Sequence, residues 1–436
     1  MKKKIEANRE FGFETKCLHS GQIPDAATGS RAVPIYQTSS YVFDDPDHAA
    51  SLFNLQTFGN VYARISNPTT SVFEERVASI ENGRAAVALS SGMAAITVAL
   101  TAICEMGDHI VASRALYGGT HTLLTVNLKK FGISATLVDP DSIESFSEAV
   151  QSNTKAIFIE TIGNPAINII DIEKVAKVAR EAGVPLIVDN TFPTPFLCQP
   201  LNWGADIVVH SATKFIGGHG TALGGVVVES GSFPWDNGKF PGMTEPSPGY
   251  HNIKFFETFG DFAFSMKIRM EQLRVMGPSL SPFNSFLLLQ GLETLPIRME
   301  RHCENASQIA HFLEQHPRVK WVSYPGLTSN KYHQLAKRYL PMGAGGILSF
   351  GIEGGVEAGK RFIENLTFLS HLANVGDSKT LVIHPASTTH RQMNYEQQIA
   401  SGVLPELVRI SVGLETLDDI IWDIDQSIGK SSESFS

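Results

Sequence analysis

Asp206-Ile-Val-Val-His-Ser-Ala-Thr-Lys-Phe-Ile-Gly-Gly-His-Gly220 begins as a short run of apolar, β-branched residues. That pattern predicts a buried strand. The run ends in Ser211, Thr213 and Lys214 and then breaks into a glycine-rich turn. A lysine at the end of a buried strand, flanked by two hydroxyls, is poorly placed for a solvated surface role. It is well placed to condense with an aldehyde while Ser211 and Thr213 hold an attached phosphate. The alternative is a strand-end lysine that simply reaches water. The choice rests on whether the rest of the chain supplies the other parts of such a site.

Working outward, similar continuous apolar runs occur at Ala85-Ala-Val-Ala-Leu-Ser90, His109-Ile-Val-Ala-Ser113, Ala135-Thr-Leu-Val-Asp139, Ala156-Ile-Phe-Ile-Glu160, Pro185-Leu-Ile-Val-Asp189 and Gly225-Val-Val-Val-Glu229. Stretches of helical period such as Asp171-Ile-Glu-Lys-Val-Ala-Lys-Val-Ala-Arg-Glu-Ala182 separate them. Strands without polar alternation are covered on both faces, so an α/β fold with a mostly parallel sheet between helices is expected. After Ser281 a smaller α+β region follows, with strands near Val319–Ser323, Gly346–Ile352, Leu381–His384 and Val408–Val412. Residues 1–65 lack periodicity and read as an arm without its own core that must pack on something else. The expected division is therefore an arm (1–65), a large domain (66–278) and a smaller C-terminal domain (279–436). Phe233-Pro-Trp-Asp-Asn-Gly-Lys-Phe-Pro-Gly-Met-Thr-Glu-Pro-Ser-Pro-Gly249 reads as a functional loop excursion whose aromatics need cover. No internal repeat is visible, and the tail 430–436 is expected to fray.

With 436 residues the chain has ample core for two or three domains. Its charge of −9 is spread evenly, with no basic patch interleaved with aromatics, which argues against nucleic-acid binding. Met1-Lys-Lys-Lys4 is followed by no apolar signal core, and no run is long enough to span a membrane. The four cysteines lack metal or redox spacing. A cytoplasmic protein with reduced thiols is expected.

Further candidates lie at other strand ends. Ser90-Ser-Gly-Met-Ala-Ala95 follows a strand and opens a helix, so the backbone N–H groups at Ser91, Gly92 and Met93 form an anion site or a plain cap. Asp189 ends a strand, where a carboxylate can face a ring cation or serve as a cap or ion pair. Asn164, before Pro165, can donate to a ring oxygen or make a turn. Tyr117, in a glycine-rich connection, can stack on a planar cofactor or pack the loop. These positions converge on the carboxyl ends of parallel strands, where open α/β sheets bind ligands. Arg409 interrupts the apolar Leu407-Val-Arg-Ile-Ser-Val412; a buried guanidinium needs a partner and suits a carboxylate, a structural ion pair being the alternative. His384 and His390 lack a third ligand and read as loop structure.

Ser211–His219, Asp189, Ser91-Gly-Met93, Tyr62-Ala-Arg64 with Asn67-Pro-Thr, and His384-Pro-Ala-Ser-Thr-Thr-His390 together resemble the Cys/Met-metabolism pyridoxal-phosphate enzymes. The insertion Lys239–Pro246 with Tyr250-His251, the stretch Ser281–His302, and Asn374-Val-Gly-Asp377 are most similar to the O-acetylhomoserine sulfhydrylase branch. So is Gly119, where methionine γ-lyases carry cysteine. The resemblance implies a fold type I pyridoxal-phosphate transferase. Lys214 would hold pyridoxal 5'-phosphate and move protons, Asp189 would pair with the ring nitrogen, and Tyr117 would stack on the ring. Ser91, Gly92, Met93, Ser211 and Thr213 would hold the phosphate. Tyr62 and Arg64 would reach it from a neighbouring subunit of a homo-oligomer, a tetramer built as a dimer of dimers. Arg409 would clamp the substrate carboxylate beside Asn374, where several relatives have serine.

The implied reaction is a γ-replacement that turns O-acetyl-L-homoserine and sulfide into L-homocysteine and acetate, in methionine and cysteine biosynthesis. The alternative is a methionine γ-lyase or cystathionine γ-synthase activity, which shares its early steps, and a non-catalytic cofactor-binding protein is disfavoured by the full residue set. The segment Phe233–Tyr250 is expected to wall water out of the site, and Gly119 to leave space near the ring.

Overall fold

A computed structural model describes residues 9–389, 391, 394–396 and 402–431. The apolar runs pair into a seven-stranded sheet formed by β1 (Ala85–Leu89), β2 (His109–Ser113), β3 (Ser134–Val138), β4 (Thr154–Glu160), β5 (Leu186–Asp189), β6 (Ile207–His210) and β7 (Gly225–Glu229). Their order across the sheet is β1-β7-β6-β5-β4-β2-β3. Five strands, from β6 through β3, run parallel, while β7 is antiparallel to both β6 and β1. Side chains alternate across the pleat. Val111, Ile157, Val188 and Val208 enter the apolar core on one face, and Ile110, Phe158, Ile187 and Val209 enter the core on the other. Both faces are covered, which is why these strands show no polar alternation.

A second sheet orders β8 (Val319–Ser323), β9 (Ile347–Ile352), β10 (Ser370–His371), β11 (Leu381–Ile383) and β12 (Leu407–Ser411) as β10-β11-β12-β9-β8. It is antiparallel except at β10–β11. The two-residue β10 is too short to leave a pattern in sequence. The helix Leu295–Gln315 ties the two layers together. Its first turns, with Leu295 and Met299, sit in the core of the large sheet, and Ile309 and Leu313 sit in the core of the small one.

The first part of the N-terminal arm packs on the large domain of its own chain. The helix Phe13–His19 docks on its own chain: Cys17 is fully buried, Phe13 meets Phe196 at 5.6 Å between ring centroids, and Arg76 Nε donates to the Ser20 carbonyl at 3.1 Å. Further along, Val42 and Phe58 are 97% and 93% exposed. The excursion after β7 is also more ordered than a loop. It contains the short helices Pro241–Thr244 and Phe255–Phe259, and it buries Phe233, Trp235, Phe240 and Tyr250. Trp235 stacks on Phe264 at 5.4 Å, within the core packed against Ile110 and Phe158. No helix of the described residues is long and apolar enough to cross a membrane. Of the tail 430–436, positions 432–436 lie outside the described residues.

Candidate active site

A cleft of about 200 Å³ opens at the carboxyl ends of β4, β5 and β6, with β12 of the small sheet closing it. Lys214 stands four residues past the end of β6 pairing, in a tight turn. Its own N–H donates to Ser211 O, and Gly218 N–H donates back to Lys214 O at 2.7 Å. Lys214 Nζ donates to Asn374 Oδ1. Burial, reinforced by the nearby Arg409 charge, holds this ammonium below the ordinary lysine value. No carboxylate of the described residues pairs with it.

The structure brings Ser91, Gly92, Met93, Ser211 and Thr213 together in one wall of the cleft. Ser91 caps the helix Gly92–Thr101, its Oγ accepting Ala94 N–H at 3.1 Å, which leaves other first-turn N–H groups without intrahelical partners. Ser211 approaches so closely that a Cβ at Gly92 would lie 2.5 Å from Ser211 Cβ. Glycine there brings the helix end and the strand end together. Thr213 Oγ1 lies in the same wall, exchanging hydrogen bonds with the Gly224 backbone.

Asp189 is not a helix cap, nor does a described residue form an ion pair with it. Its Oδ1 accepts the Thr191 N–H at 2.9 Å and the Thr191 hydroxyl at 2.5 Å. Burial raises its pKa, opposed by the Thr191 hydrogen bonds and by His210. A buried carboxylate in a cleft without a cationic partner is a site that a ring cation would complete.

Arg409 lies mid-strand in β12 and is not a structural ion pair among the described residues. Its Nη1 donates to Asn164 Oδ1 at 2.9 Å and its Nη2 to the Asn374 carbonyl at 3.4 Å, both neutral. Burial lowers its pKa to about 10. Asn164 thus uses its oxygen on Arg409 and keeps its amide nitrogen for another acceptor.

Tyr117, 51% exposed, lines the cleft, and its N–H donates to Glu160 Oε1 at 2.6 Å. The expected free space at Gly119 is not there. A Cβ at this position would lie 2.5 Å from Tyr117 Cε1 and 3.1 Å from Met93 Sδ, because the tyrosine ring folds back over the glycine.

Other residues singled out in the sequence lie outside the cleft of a single chain. Tyr62 and Arg64 do not line it within one chain; Arg64 Nε donates to the Arg274 carbonyl at 2.9 Å and its guanidinium lies 4.7 Å over the Tyr62 ring. Nor does any residue of Phe233–Tyr250 line it, since that segment's aromatics are spent on the core over the sheet face that carries Ile110 and Phe158. His384 bonds Ser387 Oγ and the Pro405 carbonyl, each at 2.8 Å, as a structural histidine does, and His390 lies outside the described residues. Sequence reasoning missed Glu160, Thr191, Phe192 and Leu223, all in the cleft wall. Only Glu160 left a trace, as the charged end of an apolar run.

An amine poised for an aldehyde, an anion cradle at a helix start, and an unpaired carboxylate facing the same space fit pyridoxal phosphate. The sequence signature of the Cys/Met metabolism PLP-dependent enzymes matches residues 14–429. The chain belongs to that family. It is 53% identical over 429 residues to the O-acetyl-L-homoserine sulfhydrylase of Leptospira meyeri, covering 96% of this chain and 97% of that one. It is 53% identical over 419 residues to the homocysteine synthase of Schizosaccharomyces pombe, covering 95% and 98%. A Campylobacter jejuni crystal structure, assigned as an O-acetylhomoserine (thiol)-lyase and carrying a pyridoxyl-lysine phosphate, superposes with a TM-score of 0.93 at 43% identity over 96% of this chain and 100% of the other. The family is pyridoxal-phosphate-dependent, and the fold is that of the C. jejuni enzyme.

Proposed function

We propose that this enzyme is an O-acetylhomoserine sulfhydrylase, a transferase that converts O-acetyl-L-homoserine and sulfide to L-homocysteine and acetate. The observation that carries the substrate class is Arg409, a buried guanidinium with only neutral partners in the cleft that holds Lys214. An α-carboxylate would supply the missing counter-charge with charge-assisted hydrogen bonds. The choice of acetylated substrate and sulfide is supported by full-length relatives that carry those names.

When bound, pyridoxal phosphate supplies the electron sink that lets protons leave the carbons beside the amino group. Lys214 would hold the cofactor, and its freed Nζ, already depressed in pKa by burial, would take the α-proton and later return one. Asp189 would pair with the ring nitrogen and keep it protonated, Tyr117 would stack on the ring, and Asn164 would donate a hydrogen bond to a ring oxygen. Ser91, Gly92, Met93, Ser211 and Thr213 would hold the phosphate. Asn374, whose Oδ1 accepts from Lys214 Nζ, would orient that amine beside the clamped carboxylate. At the γ-carbon the bond to the acetyl oxygen breaks, acetate leaves with the electron pair, and sulfide forms the new carbon–sulfur bond. Ile162, Phe192, Leu223 and Val375 give the cleft an apolar side that disfavours water at this carbon.

The exposed arm, with Val42 and Phe58 almost wholly bare, supports an assembly in which Tyr62 and Arg64 reach the phosphate of a neighbouring copy. A homotetramer built as a dimer of dimers, acting in the cytoplasm within methionine biosynthesis, completes this reading. Mass-spectrometric product counting tests the reaction. With O-acetylhomoserine and excess sulfide, homocysteine should exceed 2-oxobutanoate. Dominant 2-oxobutanoate would make the enzyme a γ-lyase instead.

A further inference from the structure

Glu160 is a second buried carboxylate in the cleft, and the roles given above do not use it. It ends β4 directly opposite Asp189, its register partner on the adjacent parallel strand β5, so both side chains leave the same face of the sheet. The two carboxyls have unequal surroundings. Asp189 receives two hydrogen bonds from Thr191 and feels His210 behind it. Glu160 receives one, from the Tyr117 N–H at 2.6 Å. Across the cleft stand Lys214 and Arg409, whose described partners are Asn374 and Asn164 rather than Glu160. Two like charges on neighbouring strands in a dry site cannot both be maintained cheaply, and the better-solvated group keeps its charge.

We propose that Glu160 is a positioning residue that carries the proton of this carboxyl pair, anchoring Tyr117 through its backbone N–H while leaving Asp189 the single anion beneath the ring. Burial first and the charge of Asp189 second raise the Glu160 carboxyl well above its usual range, in agreement with the strand register. A neutral acid can still accept the Tyr117 N–H through its carbonyl oxygen. Its neutrality matters because a second negative charge would compete for the ring cation and pull it away from Asp189. This inference rests on the pyridoxal-phosphate reading, which the cofactor's visible absorbance in the wild-type enzyme checks separately.

Isotope-edited infrared spectroscopy of the holoenzyme tests it. With 13C-labelled glutamate in a Glu229→Gln background, which removes the other buried glutamate whose carboxyl burial raises, to about 7, a protonated buried carboxyl band should be present at neutral pH and absent once Glu160→Gln is added. Cofactor affinity gives a second reading: Glu160→Ala should weaken it by about three- to tenfold through a looser Tyr117, and Glu160→Gln, which keeps a carbonyl acceptor but no charge, should restore most of the loss. Normal cofactor absorbance with no protonated band in the Glu229→Gln background, a band there that survives the added Glu160→Gln, or a Glu160→Gln variant with cofactor affinity no better than that of Glu160→Ala would each overturn the proposal.

Discussion

Arg409 is the side chain whose surroundings say most about the substrate. It sits inside a strand, touches the Asn164 oxygen and a backbone carbonyl, and has no carboxylate among the described residues to neutralise it. Arg409→Ala should leave cofactor absorbance intact and lower kcat/KM for the amino-acid substrate about tenfold to a hundredfold, the worth of one charge-assisted contact. A second effect follows from sign. The Arg409 charge disfavours the Lys214 ammonium, so removing it should move the Lys214 titration in cofactor-free protein to higher pH, as NMR of labelled lysine would record. Unchanged efficiency in a folded variant would return Arg409 to a structural role. Lys214, Asp189 and Arg409 were legible in sequence because each places a charge where the local pattern is apolar. Glu160 was not, although it too ends an apolar run. Its meaning depends on standing opposite Asp189, and strand register is set by tertiary pairing. The fold of the Tyr117 ring over Gly119 was equally invisible, being a matter of rotamer rather than of residue type.

The seven strands of the large sheet were readable element by element, since doubly covered strands write continuous apolar runs. The segment after β7 was read only in half. Its aromatics announced burial, but nothing in composition says which surface receives them, and they chose the core over the Ile110 and Phe158 face of the sheet instead of the cleft. That same packing leaves a mark on β7. Glu229 at its end is buried and accepts the Ser265 N–H at 2.9 Å, and burial raises its carboxyl from 4.5 to about 7. The folded chain therefore keeps a proton that the unfolded chain gives up near 4.5, so this group's contribution weakens the folded state as pH rises through 4.5 to about 7. Glu229→Gln mimics the protonated form. Its Tm should match the wild type near pH 4 and exceed it at pH 8, with a gain of up to about 3 kcal/mol in unfolding free energy. Thermal melts at both pH values check this, and an equal or lower Tm at pH 8 would show that the carboxylate is stabilised where it stands.

At the scale of the assembly, the proposal that Tyr62 and Arg64 serve a neighbouring copy can be tested by mixing subunits. Lys214→Ala lacks the amine and Arg64→Ala lacks the reaching arm, so each homo-oligomer should be impaired. A mixed oligomer has some clefts with both parts intact, and co-refolded subunits should show more activity than the sum of the separate variants. Strict additivity would mean that Arg64 acts only within its own chain. The arm itself shows how far sequence could reach: its lack of a core was plain, whereas the docking of Phe13–His19 onto its own chain hung on a single buried turn around Cys17.

Three backbone contacts around the cleft admit no side chain. A Cβ at Gly92 would strike Ser211, one at Gly225 would strike the Ser91 carbonyl, and one at Gly376 would come within 2.5 Å of Phe215 N. For a protein engineer, this frame is the chassis. Altering it would misalign cradle, lysine turn and small sheet at once. Leu223, 62% exposed at the cleft edge, is by contrast upholstery. Libraries seeking thiols bulkier than sulfide should spend their diversity there and leave the glycines untouched.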